Sequence, residues 1–199
     1  MNDEYITIKG ETRAETKVRG SRFIAVARPV EGKNEVESMI GLLKKDFYDA
    51  THHCYAYRIG IDGILFRQND DGEPGGSAGK PILAAIDKFG LTDVAVVVIR
   101  YFGGNKLGVG GLVRAYGGAA EAALSAAPSV TRYAMGMLEV SFPHAHVSNV
   151  MHVVSTSGAR IVDTTYDEEV HLRLSIRQSR LAELRTSLVD RTSGNIAIT

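Results

Sequence analysis

The chain has one cysteine and no tryptophan in 199 residues. Cys54 has no partner for an internal disulfide, which fits a reducing compartment. Net charge is also missing, because 23 basic residues balance 23 acidic ones. A protein coated in positive charge is excluded, so any nucleic-acid contact must use a local patch. No apolar run approaches the roughly 18 residues expected of a membrane span. The start, MNDEYITIKG, lacks the apolar core of a secretion signal. A cytoplasmic protein without membrane contact is expected. The five prolines are scattered, and no low-complexity segment or strong repeat is visible.

Glycine, by contrast, is plentiful at 21 residues, and all but Gly136, Gly158 and Gly194 precede residue 133. Pro128 ends an alanine-rich stretch, and Ser129 to Tyr133 reads as a short link. The expected division is therefore a first domain over 1–132 and a second over 133–199. In the first, Arg22 to Arg28, Tyr55 to Gly60 and Ile64 to Arg67 read as strands, the last two joined around Asp62-Gly63. Asn34 with Glu37 forms a candidate capping box for a helix carrying Val36, Met39, Ile40, Leu43 and Phe47. Pro81 is a fitting first residue for a second helix, which Gly90 would end.

The second domain reads as βαββαβ, the order of a ferredoxin-like sandwich. Met135 to Phe142 is a strand, Pro143 opens a helix stopped by Gly158, and Ala159 to Thr165 is a strand. Val170, Leu172, Leu174 and Ile176 then alternate with polar residues, as a sheet with one wet face requires. Ser179 can cap the next helix, and Ile196 and Ile198 close the order as a strand.

Residues 94–118, VAVVVIRYFGGNKLGVGGLVRAYGG, are the most informative stretch. A buried strand exits at Arg100-Tyr101-Phe102, and a glycine-rich turn with Lys106 leads to a helix carrying Arg114. Between Val94 and Gly118 there is no Asp or Glu. Free N–H groups and the helix dipole favour an anion at such a helix start. The expected anion-binding set is Lys80, Arg100, Gly103, Gly104, Lys106, Gly108 and Arg114. The glycines also admit a purely structural explanation, close packing of helix on sheet.

The loop D70-D71-G72-E73-P74-G75-G76-S77-A78-G79-K80 superficially resembles a nucleotide phosphate loop. Pro74 stands where the first motif glycine belongs, and Pro81 where a Mg²⁺-binding hydroxyl is needed, so no nucleotide cofactor is expected. Glu73 and Ser77, with His52 and His53, remain candidates for lining a ligand surface. In a strand, His52 and Cys54 share one face and His53 takes the other. With no second cysteine and no HxxxH pattern, and with His144 and His146 in the other half at poor helical spacing, neither a metal site nor a catalytic residue is assigned.

KVRGSRFIA, THHCYAYRIG, DGEPGGSAGKPIL and VVIRYFGGNKLGVGGL resemble, in that order, the motif blocks of the IMPACT/YigZ family. The resemblance implies an α+β protein of two domains. The first would be a two-layer α/β domain similar to domain IV of the ribosomal translocase EF-G and to a small-subunit ribosomal protein. The second would be similar to that translocase's ferredoxin-like domains. Eukaryotic relatives are linked to translational control. The expected function is therefore a translation-related regulator that binds RNA or the ribosome, with a protein partner on the second sheet. The alternative is an enzyme or binder of a small phosphorylated or anionic ligand at the same loops.

Overall fold

The computed structural model describes residues 3–199, and their contacts divide into two compact units. The larger spans Tyr5–Arg132; the smaller joins Tyr133–Thr199 to Asp3 and Glu4. Asp3 thus belongs with the second unit, although its sequence position placed it in the first.

In chain order, the elements through residue 133 are β1 (Glu4–Ile8), β2 (Thr12–Val18), β3 (Ser21–Pro29), α1 (Lys33–Asp46), β4 (His52–Ile59), β5 (Leu65–Asn69), α2 (Gly79–Lys88), β6 (Val94–Tyr101), α3 (Gly108–Ser125) and β7 (Ser129–Tyr133). β1 and β7 form a two-stranded ribbon. The other five strands form an antiparallel sheet in the order β2-β3-β6-β4-β5. β1, β2 and β7 have little of the apolar alternation by which strands are read, so none of the three is expected from the sequence.

β6 lies between β3 and β4 and is buried along almost its whole length, which explains its unbroken run of β-branched residues. Val94, Val96 and Val98 face α2 and α3, packing with Ile82, Ile86 and Tyr116. Val97 and Ile99 face α1, packing with Val36, Met39 and Leu43. The sheet is therefore covered on both faces, not on one as a two-layer domain would be. Burying each such aliphatic side chain contributes about 1.5–3 kcal/mol.

Helix ends differ from their sequence readings. α1 starts at Lys33, no side chain of Asn34 caps it, and the Glu35 carboxylate, not that of Glu37, accepts the Glu31 N–H at 2.9 Å. α2 starts at Gly79, two residues before Pro81. Its end is as expected: the Gly90 and Leu91 N–H groups donate to Asp87 and Ile86 carbonyls, a Schellman closure with Gly90 at φ +62°.

The second unit contains β8 (Met135–Phe142), α4 (Val147–Ser157), β9 (Arg160–Tyr166), β10 (Val170–Arg177), α5 (Leu181–Arg191) and β11 (Ala197–Ile198). Single 3₁₀ turns precede both helices. The strands form one sheet ordered β11-β8-β10-β9, with antiparallel neighbours throughout. Leu138, Val140 and Phe142 alternate with exposed residues, as do Leu172, Leu174 and Ile176, and their inner face meets α4 and α5. Ser179 does not cap α5; its N–H and hydroxyl donate to Asp3 at 3.0 and 2.6 Å. Arg177 donates to the same carboxylate at 2.7 Å and lies over the Tyr133 ring. These donors, Arg177 foremost, hold the Asp3 carboxyl well below the usual range.

Candidate functional site

The end of β6 organises the candidate residues. Strand alternation sends Arg100 to the same face as Val98, under α3 and the loop before α2. It is only 5% exposed. Its Nη1 donates to Glu73 Oε1 at 2.6 Å, and the Tyr116 hydroxyl donates to that same oxygen at 2.6 Å. Its Nη2 reaches Ser21 Oγ at 3.3 Å, which also accepts the Gly103 N–H at 3.1 Å. The Phe23 and Phe102 rings each lie 5.5 Å from the guanidinium. Arg100 is thus a core ion pair, and its charge is not offered to a phosphate. The pairing also accounts for Glu73, which is buried and not part of a solvated loop. Burial, then the neighbouring Cys54 and Glu73, pushes the Tyr116 hydroxyl far above its ordinary value, so it remains a donor.

His52 and Cys54 share the Arg100 face, as strand geometry requires. The Cys54 thiol lies 3.0 Å from the Asp70 carbonyl, and burial pushes it up to about 12. A thiol held protonated is a poor nucleophile. His52 is half-buried, with Nδ1 2.8 Å from the Asp71 carbonyl and Nε2 3.8 Å from Glu73 Oε1. His53, on the opposite face, is buried with Nε2 3.1 Å from the Phe47 carbonyl. Burial pushes its pKa down, against the attraction of Asp71, and favours the neutral ring. His53 is therefore no surface ligand. Ser77 is also fully buried, with no hydrogen-bond partner for its hydroxyl, and cannot line an open surface.

The loop before α2 has already filled its own anion position. Asp70 Oδ1 accepts the N–H groups of Ala78 and Gly79 at 2.9 and 2.8 Å, and Oδ2 accepts that of Gly76 at 2.8 Å. Burial opposes ionisation of Asp70, but the three donors outweigh it and hold the carboxyl below the usual range. A carboxylate of the chain stands where a bound phosphate would accept the same hydrogen bonds. Sequence reading missed this role, which Asp70 fills only because β5 ends beside the start of α2.

The turn before α3 is different. Gly103 is a packing residue, since a Cβ there would lie 1.9 Å from the Gly20 carbonyl carbon. Gly104 and Gly108 adopt φ +84° and +69°, with open space where their side chains would be. No side chain caps α3, and its first turn carries no acid. Lys80, Lys106 and Arg114 are exposed, and none makes an ion pair among the described residues. The Arg114 guanidinium folds back over Gly110 in the first turn of α3, 3.6 Å from the Cβ position there. Three of the four expected cations thus remain available, with Lys106 and Arg114 at the amino end of α3.

Among the described residues, no cluster of three or more His, Cys, Asp or Glu could hold a metal ion, and no helix is long and apolar enough to cross a membrane.

Comparison with known proteins matches both parts of the chain. Residues 19–124 fit the Impact N-terminal domain, and residues 140–195 fit a domain of unknown function, DUF1949. The IMPACT family member YvyE of Bacillus subtilis is 33% identical over 98% of this chain and 89% of its own length. YigZ of Escherichia coli is 29% identical over 92% of this chain and 90% of its own. A solved structure described as a hypothetical protein superposes with a TM-score of 0.78 at 27% identity, covering 100% of this chain and 97% of that one. With the glycine-turn motif on an ordered β6–α3 junction and both domain models matched, the chain belongs to the IMPACT family.

Proposed function

We propose that the protein binds structured RNA, free or within the ribosome, through the turn before α3, and acts in translational control in the cytoplasm. The carrying observation is the local charge pattern: Lys106 and Arg114 are exposed and unpaired beside an uncapped helix start that has no acid, and exposed, unpaired Lys80 lines the adjoining groove with Arg114. Gly104 and Gly108 leave the backbone bare, so a phosphate can approach its N–H groups. The zero net charge limits non-specific attraction and favours a target of defined shape. Translational control is supported by the eukaryotic branch of the family. A first unit similar to domain IV of EF-G and a ferredoxin-like second unit, whose strand order β11-β8-β10-β9 supports that reading, agree with a ribosomal setting. The exposed face of the second sheet is the proposed surface for a protein partner.

The alternative, an enzyme or binder of a small phosphorylated or anionic ligand at the same glycine-rich loops, finds less support. The loop before α2 that such a ligand would use is occupied by Asp70. Thermal-shift measurements with nucleotides and Mg²⁺ separate the readings, since stabilisation by either would favour the alternative.

The direct test is fluorescence anisotropy with ribosomal RNA fragments, together with ribosome co-sedimentation. Three phosphate contacts give a log–log salt slope of about −2.7. Lys106→Glu should weaken binding at least tenfold. Absence of association at low salt, or full binding by Lys106→Glu, overturns the proposal.

A further inference from the structure

A groove of about 680 Å³ runs between α2 and α3, away from the turn itself. Its floor is apolar, formed by Pro81, Ala84, Val113, Gly117 and Gly118. Lys80 and Arg114 stand at one end without ion-pair partners among the described residues. At the other end Lys88 and Glu121 neutralise each other at 2.7 Å. From Lys80 to Lys88 the groove extends about 12 Å along α2, at 1.5 Å per residue.

Gly118 is the informative residue. It sits inside α3, where glycine weakens a helix, yet a Cβ there would meet nothing within 4 Å. Packing within the chain gives no reason for glycine at this position. Its bare backbone keeps the groove floor open to something that comes close. No aromatic side chain lines the groove, so bases would find no stacking platform. An apolar floor is equally poor for phosphates. It suits the apolar face of a helix laid between two others, and the unpaired cations at one end call for carboxylates.

We propose that this groove docks an amphipathic helix of a protein partner, apolar on one face and acidic at the end that meets Lys80 and Arg114. The site goes beyond RNA binding: it shares Lys80 and Arg114 with the proposed RNA surface, but Lys106 is not part of its lining and Gly118 is not part of the turn, so Lys106→Glu tests the first reading alone and Gly118→Leu the second. The two readings can therefore fail separately.

The test is to pan a random 12-residue phage library on the full chain and synthesise the consensus peptide. Its binding is then measured by anisotropy to the wild type, Gly118→Leu, Lys80→Glu with Arg114→Glu, and Lys106→Glu. The expected consensus has apolar residues three or four apart and carboxylates toward one end. Gly118→Leu should raise the melting temperature, confirming an intact fold, while weakening the peptide at least tenfold. The double charge reversal should weaken it similarly, and Lys106→Glu should leave it unchanged. No enrichment over an unrelated protein, a consensus without acids, or equal binding by Gly118→Leu would overturn the proposal.

Discussion

The turn before α2 and the turn before α3 are built alike: glycines and a lysine leading into a helix on the same face of one sheet. Before α2, Asp70 accepts three backbone N–H groups and the loop is closed on itself. Before α3 there is no acid, the first turn is uncapped and Lys106 is exposed. An N-terminal helix dipole attracts negative charge in both places. Where the chain supplies that charge, the turn is a structural joint; where it supplies none, the turn remains open to a ligand. The two arginines make the same point. Arg100 is buried against Glu73, with only 6% and 4% of their side chains exposed, whereas Arg114 is exposed and unpaired.

The largest expected effect comes from breaking the closed side. Arg100→Ala would strand the Glu73 carboxylate in the core and should cost about 3–5 kcal/mol in chemical denaturation. Replacing both partners by apolar residues of similar volume should recover much of that loss.

Next comes Asp70→Ala, which orphans the N–H groups at the start of α2 and should cost about 2–3 kcal/mol. Its pH dependence has a definite sign. The folded Asp70 carboxyl titrates below its ordinary value, so its stabilisation is present above the unfolded pKa of about 3.9 and is lost as pH falls through the folded value. Asp70→Asn should therefore flatten the acid limb of the stability profile below about pH 4. An unchanged limb would mean that the carboxylate is not the cap.

The smallest effect on stability should come from the open side. Lys106→Ala should change unfolding free energy by no more than about 0.5 kcal/mol. It should also reduce the salt slope of RNA binding by about 1. A large stability loss there would erase the contrast between the turns.

Much was legible in the sequence because it depends on periodicity. The βαββαβ order of the second unit follows from strict alternation in β10 and helical spacing around Val150 and Leu184. The buried β6 follows from its β-branched run. Charged or polar strands gave no such signal. In β2, Arg13, Glu15 and Lys17 alternate with half-buried Thr12, Ala14 and Thr16, so its pairing with β3 emerges only from the assembled sheet.

The sequence by itself determined which residue types could meet an anion, because the cations and glycines of 94–118 stand together without an acid. It also determined that His52 and Cys54 share a strand face opposite His53. Only the tertiary structure decided which charges remain free. Glu73 lies 27 residues from Arg100, and Asp3 lies 174 from Arg177, yet each pair forms an ion pair. Charge neutralisation is set by distance in space, and nothing in local spacing records it. The open turn before α3 is thus defined as much by where the folded chain leaves carboxylates absent as by the lysine and glycines it displays.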